Sequence, residues 1–243
     1  VGLIFGFAMC FWVTGLEKAS HVGEAAFLAS LGVVMVPIIA RLLFKESIPR
    51  STWLALPVAL VGLGFLSLGA ATAHALKIEA SHILLLTSAA FFALYFNLNA
   101  RVTNIRSFVK NNSSDGKASK IPVLALTTIV LLTTGVITGI TSAFFEAWRP
   151  TLTNLHAELI GWILLSATIG TALRFLVQTY AQSLTANSHG VVIMVLEPLW
   201  TTLIAMLWFS ETMNASQLLG CLLILLSLII NRLKAITQLM GIR

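Results

Sequence analysis

Charge is scarce in this sequence. Only 10% of its 243 residues are Asp, Glu, Lys or Arg, against about a quarter in a soluble domain. There is one aspartate, Asp115, so no pair of buried aspartates exists to cut a peptide bond within a membrane. Neither a Gly-x-Ser-Gly nor a His-Glu-x-x-His stretch occurs, and no Gly-x-x-x-x-Gly-Lys loop is there to hold a nucleotide. The two cysteines, Cys10 and Cys221, sit in apolar stretches near opposite ends, which provides neither a disulfide framework nor a metal site. These absences argue against an enzyme, a bound metal, a cofactor and an ATP-driven pump.

Apolar residues fill the space that charge leaves. They make up 58% of the chain, with a mean hydropathy of +0.94. Runs of about 20 apolar residues, the length that crosses a bilayer as a helix, recur from end to end. We read eight spans, 2–17, 24–44, 52–72, 82–101, 121–144, 159–182, 188–209 and 215–233, in an all-α polytopic membrane protein. The stretch 102–120, whose residues 104–120 read "NIRSFVKNNSSDGKASK", is a polar, mobile loop in this reading.

A net charge of +6 invites a nucleic-acid reading, but its distribution argues against one. With an even number of spans both ends share one side, and that side collects Arg41, Lys45, Arg50, Arg101, Arg106, Lys110, Lys117, Lys120, Arg232, Lys234 and Arg243. Lys18, Lys77 and Arg149 fall on the other. By the positive-inside rule, the charged side and both ends are expected to be cytoplasmic, in a plasma (inner) membrane.

An internal repeat is also present. At an offset of 165, "GLEKASHVGEAAFLASLGVVMVPIIARLLFKESIPRSTWLAL" (15–56) lies over "YAQSLTANSHGVVIMVLEPLWTTLIAMLWFSETMNASQLLGC" (180–221), with Phe44 over Phe209, Glu46 over Glu211 and Ser51 over Ser216. Spans 1 to 3 and their counterparts, spans 6 to 8, run in opposite senses. Inverted copies of this kind enclose the midplane site of many secondary transporters.

The pieces "VVMVPIIARLLFKE" and "WLALPVALVGLGFL", with "VLEPLWTTLIAMLWFSE" and "QLLGCLLILLSLIINRL", resemble the EamA-type transporters of the drug/metabolite transporter superfamily. Lys45 and Ser210 stand where that family usually has glycine. The resemblance implies ten helices as five plus five, both termini cytoplasmic. On it, residues 1–80 are the last three helices of a first repeat and 81–243 a complete second one. An upstream segment of roughly 50–70 residues, enough for two spans, is then expected.

Ionisable groups inside spans mark pathways or helix locks. Arg174 and Glu197 lie at depths of about 12 and 15 Å along neighbouring helices. They can form a buried ion pair or bind a charged or zwitterionic solute. Gln178 and Thr171 share the Arg174 face. Phe92, Tyr95 and Asn99 form a stripe at spacings of three and four in span 4, and Trp12 is a similar aromatic candidate in span 1; each can instead be ordinary helix packing. His21 and Glu24 at one mouth, and His189 at the other, are candidate gates or plain caps. Glu197 is also the candidate proton-coupling group.

The resulting expectation is a secondary transporter exporting a small organic metabolite, amino-acid-like solute or drug. Its partners are that solute and the lipid bilayer, and it forms a monomer or loose homodimer because no strong Gly-x-x-x-Gly pairing face stands out. A channel or a non-transporting scaffold is the alternative.

Overall fold

The computed structural model describes residues 1–19, 22–68, 79–112, 122–146, 148, 156–184, 200, 204, 207 and 214–239, with backbone alone at 22–24, 26–27, 66–68, 104–112, 228 and 231–239. All regular structure among them is helical: α1 (Gly2–Glu17), α2 (Val22–Phe44), α3 (Arg50–Leu68), α4 (Ala80–Asn112), α5 (Val123–Phe145), α6 (Ala157–Leu165), a π-helical stretch (Ser166–Leu173), α7 (Arg174–Leu184) and α8 (Ala215–Leu239). Among the described residues three continuous helical stretches are long and apolar enough to cross a membrane, Ala80–Thr103, Val123–Phe145 and Ala157–Leu184. The expected span 188–209 lies outside the described residues apart from residues 200, 204 and 207.

Local chemistry explains several helix ends. Pro122 precedes α5 with the extended backbone that suits a proline before a helix. At the start of α8 the Asn214 Oδ1 accepts the Gln217 N–H at 2.8 Å, and the Gln217 Oε1 accepts the Asn214 N–H at 3.0 Å. That reciprocal pair is a capping box, and it satisfies two donors that the helix itself cannot. Past the end of α2 the chain turns at Lys45, whose φ of 53° lies in the left-handed region. The next N–H, of Glu46, returns to the Ala40 carbonyl at 3.1 Å.

One expectation needs correction. The loop predicted over 102–120 does not begin at 102, because α4 continues to Asn112. Its continuation, "VTNIRSFVKNN", contains neither proline nor glycine, and the first glycine comes at Gly116. Polarity alone marks the end of an apolar run, not the end of a helix.

The helices carry the signature of a lipid environment. In α5 the side chains of Leu124, Ile129, Leu132, Val136, Ile140 and Phe144 are all more than half exposed, an apolar face running the length of the helix that water would not tolerate. Thr127, Thr128, Thr133, Thr134, Thr138 and Thr141 each donate to the carbonyl four residues earlier, at 2.7–2.9 Å. A hydroxyl satisfied within its own helix can sit at membrane depth without an outside partner. Gly135 and Gly139, in "GVITG", have a Gly-x-x-x-Gly spacing that the sequence reading overlooked, and among the described residues nothing outside their own helix lies within 4 Å of where either Cβ would be.

The chain divides into two compact units, residues 1–10 with 95–187 and residues 11–94 with 188–243, the division falling inside α1 and α4. In the first, Phe5, Ala8, Tyr95, Leu126, Val130 and Phe175 are buried. In the second, small residues dominate the contacts, as they do where membrane helices approach closely. A Cβ on Gly32 would lie 3.2 Å from the Ala89 carbonyl oxygen. One on Gly62 of α3 would lie 3.0 Å from the Gly220 carbonyl oxygen of α8. On α3 the buried positions include Ala55, Ala59 and Gly62, and on α8 they include Gly220, Ile224 and Ser227. Shifting the first set by 165 gives the second.

Candidate functional site

Helix α7 is turned inside out relative to a soluble helix. Phe175, Thr179 and Gln182 are buried, while Leu173 just before it and Val177, Tyr180 and Leu184 within it are exposed. The inward residues fall at spacings of four and three, so they share one face. A polar face turned inward and an apolar face turned outward is the economical arrangement in lipid, where an unmet hydroxyl or amide is costly.

On α4, Tyr95 and Asn99, one turn apart, are each 1% exposed. The Asn99 Nδ2 donates to the Thr179 Oγ1 at 3.3 Å and to the Gln182 Oε1 at 2.6 Å, tying α4 to α7. The Thr179 hydroxyl also pairs with that of Tyr95. Phe5 of α1 packs against Tyr95 with ring centroids 4.5 Å apart, and edge-on against Phe175 at 4.6 Å. Such tilted and edge-on geometries are the favourable ones for aromatic pairs. The result is a polar knot of hydroxyls and amides flanked by three rings, within one unit.

Two atoms of this neighbourhood stand out. Among the described residues nothing hydrogen-bonds the Asn99 Oδ1 or the Gln178 Nε2, although both are shut off from solvent. Each leaves a buried polar group unmet, a state that costs about 1–3 kcal/mol unless something fills it.

The residues expected from the sequence distribute as follows. Tyr95 and Asn99 come together with α7 in the first unit, and Gln178 sits on α7 beside Thr179. Thr171 is half-buried in the π-helical stretch, where its carbonyl accepts the Arg174 backbone N–H. Arg174 itself is exposed, with its guanidinium carbon 5.5 Å from the Phe175 ring centroid, a cation–π distance. Trp12 and Phe92 are half-buried and belong to the other unit, where Phe11 and Phe91 stack with centroids 5.6 Å apart. Glu197, His21 and His189 lie outside the described residues, and Glu24 is described by its backbone only.

Sequence reasoning missed Phe5, Phe175, Thr179 and Gln182. It followed the charge at Arg174 and so named only that face of the helix. The signal was available: within "RFLVQTYAQSL" the uncharged polar residues recur at helical spacing among apolar ones.

A family model matches residues 80–233, about two thirds of the chain, and its description is the EamA-like transporter family. The chain belongs to the EamA-like transporter family. It is thus a multi-pass membrane protein of a transporter family, as the resemblance drawn from the sequence implied. An uncharacterised transporter of Archaeoglobus fulgidus is 25% identical to it over 234 residues, covering 96% of this chain and 68% of the relative. A solved protein crystal structure is similar over 97% of this chain and 75% of its own, with a TM-score of 0.69 at 16% identity. That likeness concerns the fold alone.

Proposed function

We propose that this EamA-like protein is a secondary active transporter that moves a small organic metabolite, amino-acid-like solute or drug outward across the plasma membrane by alternating access. The observation that carries the reading is the knot around Asn99. A transporter-family helix, α7, turns its amides and hydroxyls inward and leaves buried hydrogen-bonding capacity unfilled. Polar groups at membrane depth are expensive, and a transport pathway is the usual reason to keep them.

In this reading Tyr95, Asn99, Gln178 and Thr171 contact the solute, Phe92 and Trp12 contribute aromatic surface, and Arg174 pairs with an anionic group as it passes. Glu197 couples a proton, and Glu24, His21 and His189 gate the two mouths. The two inverted copies, with both ends of the chain cytoplasmic, alternate the exposure of that site. The 165-residue offset that relates the buried faces of α3 and α8 supports such a repeat. The protein acts as a monomer or loose homodimer.

Counterflow of labelled solutes into liposomes holding the purified protein tests the reading. Saturable exchange of at least one solute is expected, and Glu197→Gln should flatten its pH dependence. Conductance without saturation would replace the carrier with a channel. An unchanged pH profile in Glu197→Gln would remove the proton.

A further inference from the structure

The backbone of Ala157–Leu184 changes its hydrogen-bond ladder twice. At the end of α6 the Ser166 N–H is shared between the Trp162 and Ile163 carbonyls, four and three residues back. Over Ser166–Leu173 the ladder takes the wider π pattern, in which each N–H reaches five residues back. At the far end the Arg174 N–H turns to the Thr171 carbonyl, three residues back. A π-helix is rare, is usually a single turn, and frequently marks a functional site. This one lies midway along a helix that crosses the membrane.

Its two sides are held differently. After it, Phe175, Thr179 and Gln182 of α7 are buried, the last two are bonded to Asn99 of α4, and α5 packs alongside. Before it, every residue from 160 to 170 is exposed. The consecutive side chains from Trp162 to Leu165, at about 100° per residue, look out on all sides of α6. Thus α7 is anchored, and no face of α6 is buried.

A π turn holds one residue more than an α turn. Changing the stretch to α therefore turns α6 against α7 by one residue, about 100°, with a slide of about 1.5 Å. The backbone amides stay bonded in both forms, which a broken helix would not allow at membrane depth. Thr168 eases the exchange. Its hydroxyl donates to the Leu164 carbonyl at 2.7 Å and reaches the Leu165 carbonyl at 3.5 Å, two acceptors whose amide partner moves by one residue between the ladders. The rotation also has a steric consequence. Gly161 and Trp162 are neighbours, so a one-residue step puts glycine where the large indole stood. Among the described residues nothing outside its own helix lies within 4 Å of a Cβ on Gly161, and Trp162 is exposed, so neither is wedged against turning.

We propose that Ser166–Leu173 is a hinge that changes between π- and α-helix during the transport cycle, turning α6 against the anchored α7 and exchanging Trp162 for Gly161 along one side of α6 as a steric gate. The assignment rests on the alternating-access reading above and names an element that moves and one that does not.

Pulsed EPR on the purified full chain in liposomes tests it, in a background of Cys10→Ala and Cys221→Ala. One spin-label pair joins α5 to α6, Ile140→Cys with Ile163→Cys. A reference pair joins α5 to α7, Ile140→Cys with Val177→Cys. All three sites are more than half exposed. Two distances are expected for the first pair and one for the reference. Deleting Ile169 removes the extra residue of the π stretch. It should leave the first pair a single distance and the reference unchanged, and lower solute counterflow by about tenfold or more, since an element locked in one position no longer gates. A single α5–α6 distance in the undeleted protein would overturn the hinge, as would two distances that survive the deletion, or full counterflow after it. A deletion that misfolds shows itself as a changed reference distance; the undeleted protein then decides alone, two distances on α6 with one on α7 supporting the hinge. Failure of the transport reading is a separate result, no exchange of any solute by the undeleted protein, whatever the label pairs show.

Discussion

Gly62 lies so close to Gly220 that a Cβ added to it would sit 3.0 Å from the Gly220 carbonyl oxygen and equally near the Ile224 amide nitrogen. Those neighbours are backbone, which cannot swing aside as a flexible side chain would. Gly62→Ala should therefore push α3 and α8 apart and cost roughly 1–3 kcal/mol, the usual penalty for overpacking. Gly139 is the matched control, because among the described residues nothing outside its own helix lies within 4 Å of its Cβ position. There the same change should stabilise by up to about 1 kcal/mol, through helix propensity alone. Thermal unfolding of both variants in detergent checks the pair, and equal shifts in the same direction would refute the close contact.

The offset of 165 makes a second prediction about the same helix pair. It carries Gly62 onto Ser227 and Gly220 onto Ala55, so a two-fold relation between α3 and α8 would place Ala55 opposite Ser227 as Gly62 is opposite Gly220. Both are buried. In a background with Cys10 and Cys221 replaced, the pair Ala55→Cys and Ser227→Cys should form a disulfide under mild oxidation, since facing Cα atoms at small-residue contacts approach the 4.4–6.8 Å that a disulfide typically spans. Ala55→Cys with Ile229→Cys, whose second site is exposed, should not. If only the control pair cross-linked, the proposed inverted relation would be lost in this part of the chain.

Lys45 offers a stabilising change. Its φ of 53° is a conformation that a Cβ opposes by about 1–2 kcal/mol and that glycine adopts freely. Members of the family it resembles usually have glycine there. Lys45→Gly should raise the unfolding midpoint, with a gain of about 1 kcal/mol after the greater flexibility of unfolded glycine is subtracted. Lys45→Val should lower it, because β-branching makes that region worse. A drop in both variants would mean that the lysine side chain holds the turn by a contact of its own.

Much of the helical layout was legible because a bilayer is a simple ruler. Any run of about 20 apolar residues has to be a helix, so Val123–Phe145 and Ala157–Leu184 lie within two residues of the expected 121–144 and 159–182. The ruler fails once the chain leaves the lipid, and α4 accordingly outran its expected end by eleven residues, from 101 to 112. The π-helical stretch Ser166–Leu173 was also hidden, since "SATIGTAL" differs little in composition from an α-helical segment and the change lies in which carbonyl each N–H chooses. At the site, Tyr95 and Asn99 were legible from their spacing. Thr179 and Gln182 were not, because their importance comes from Asn99, about 80 residues away in sequence.

Thr179 separates hydrogen bonding from packing at that site. Its side chain is 1% exposed, its Oγ1 accepts from Asn99 at 3.3 Å, and its hydroxyl pairs with Tyr95. Thr179→Val keeps nearly the same shape and removes both interactions, leaving buried polar groups on two helices unmet. A loss of about 1–3 kcal/mol is expected. Thr179→Ser keeps the hydroxyl and gives up a methyl group, a change of about 1 kcal/mol in buried apolar surface. The valine variant should therefore unfold at the lower temperature, although it is the better-packed of the two. Were serine the more damaging substitution, the knot would be held by its methyl contacts, and its polar groups would contribute little to joining α4 to α7.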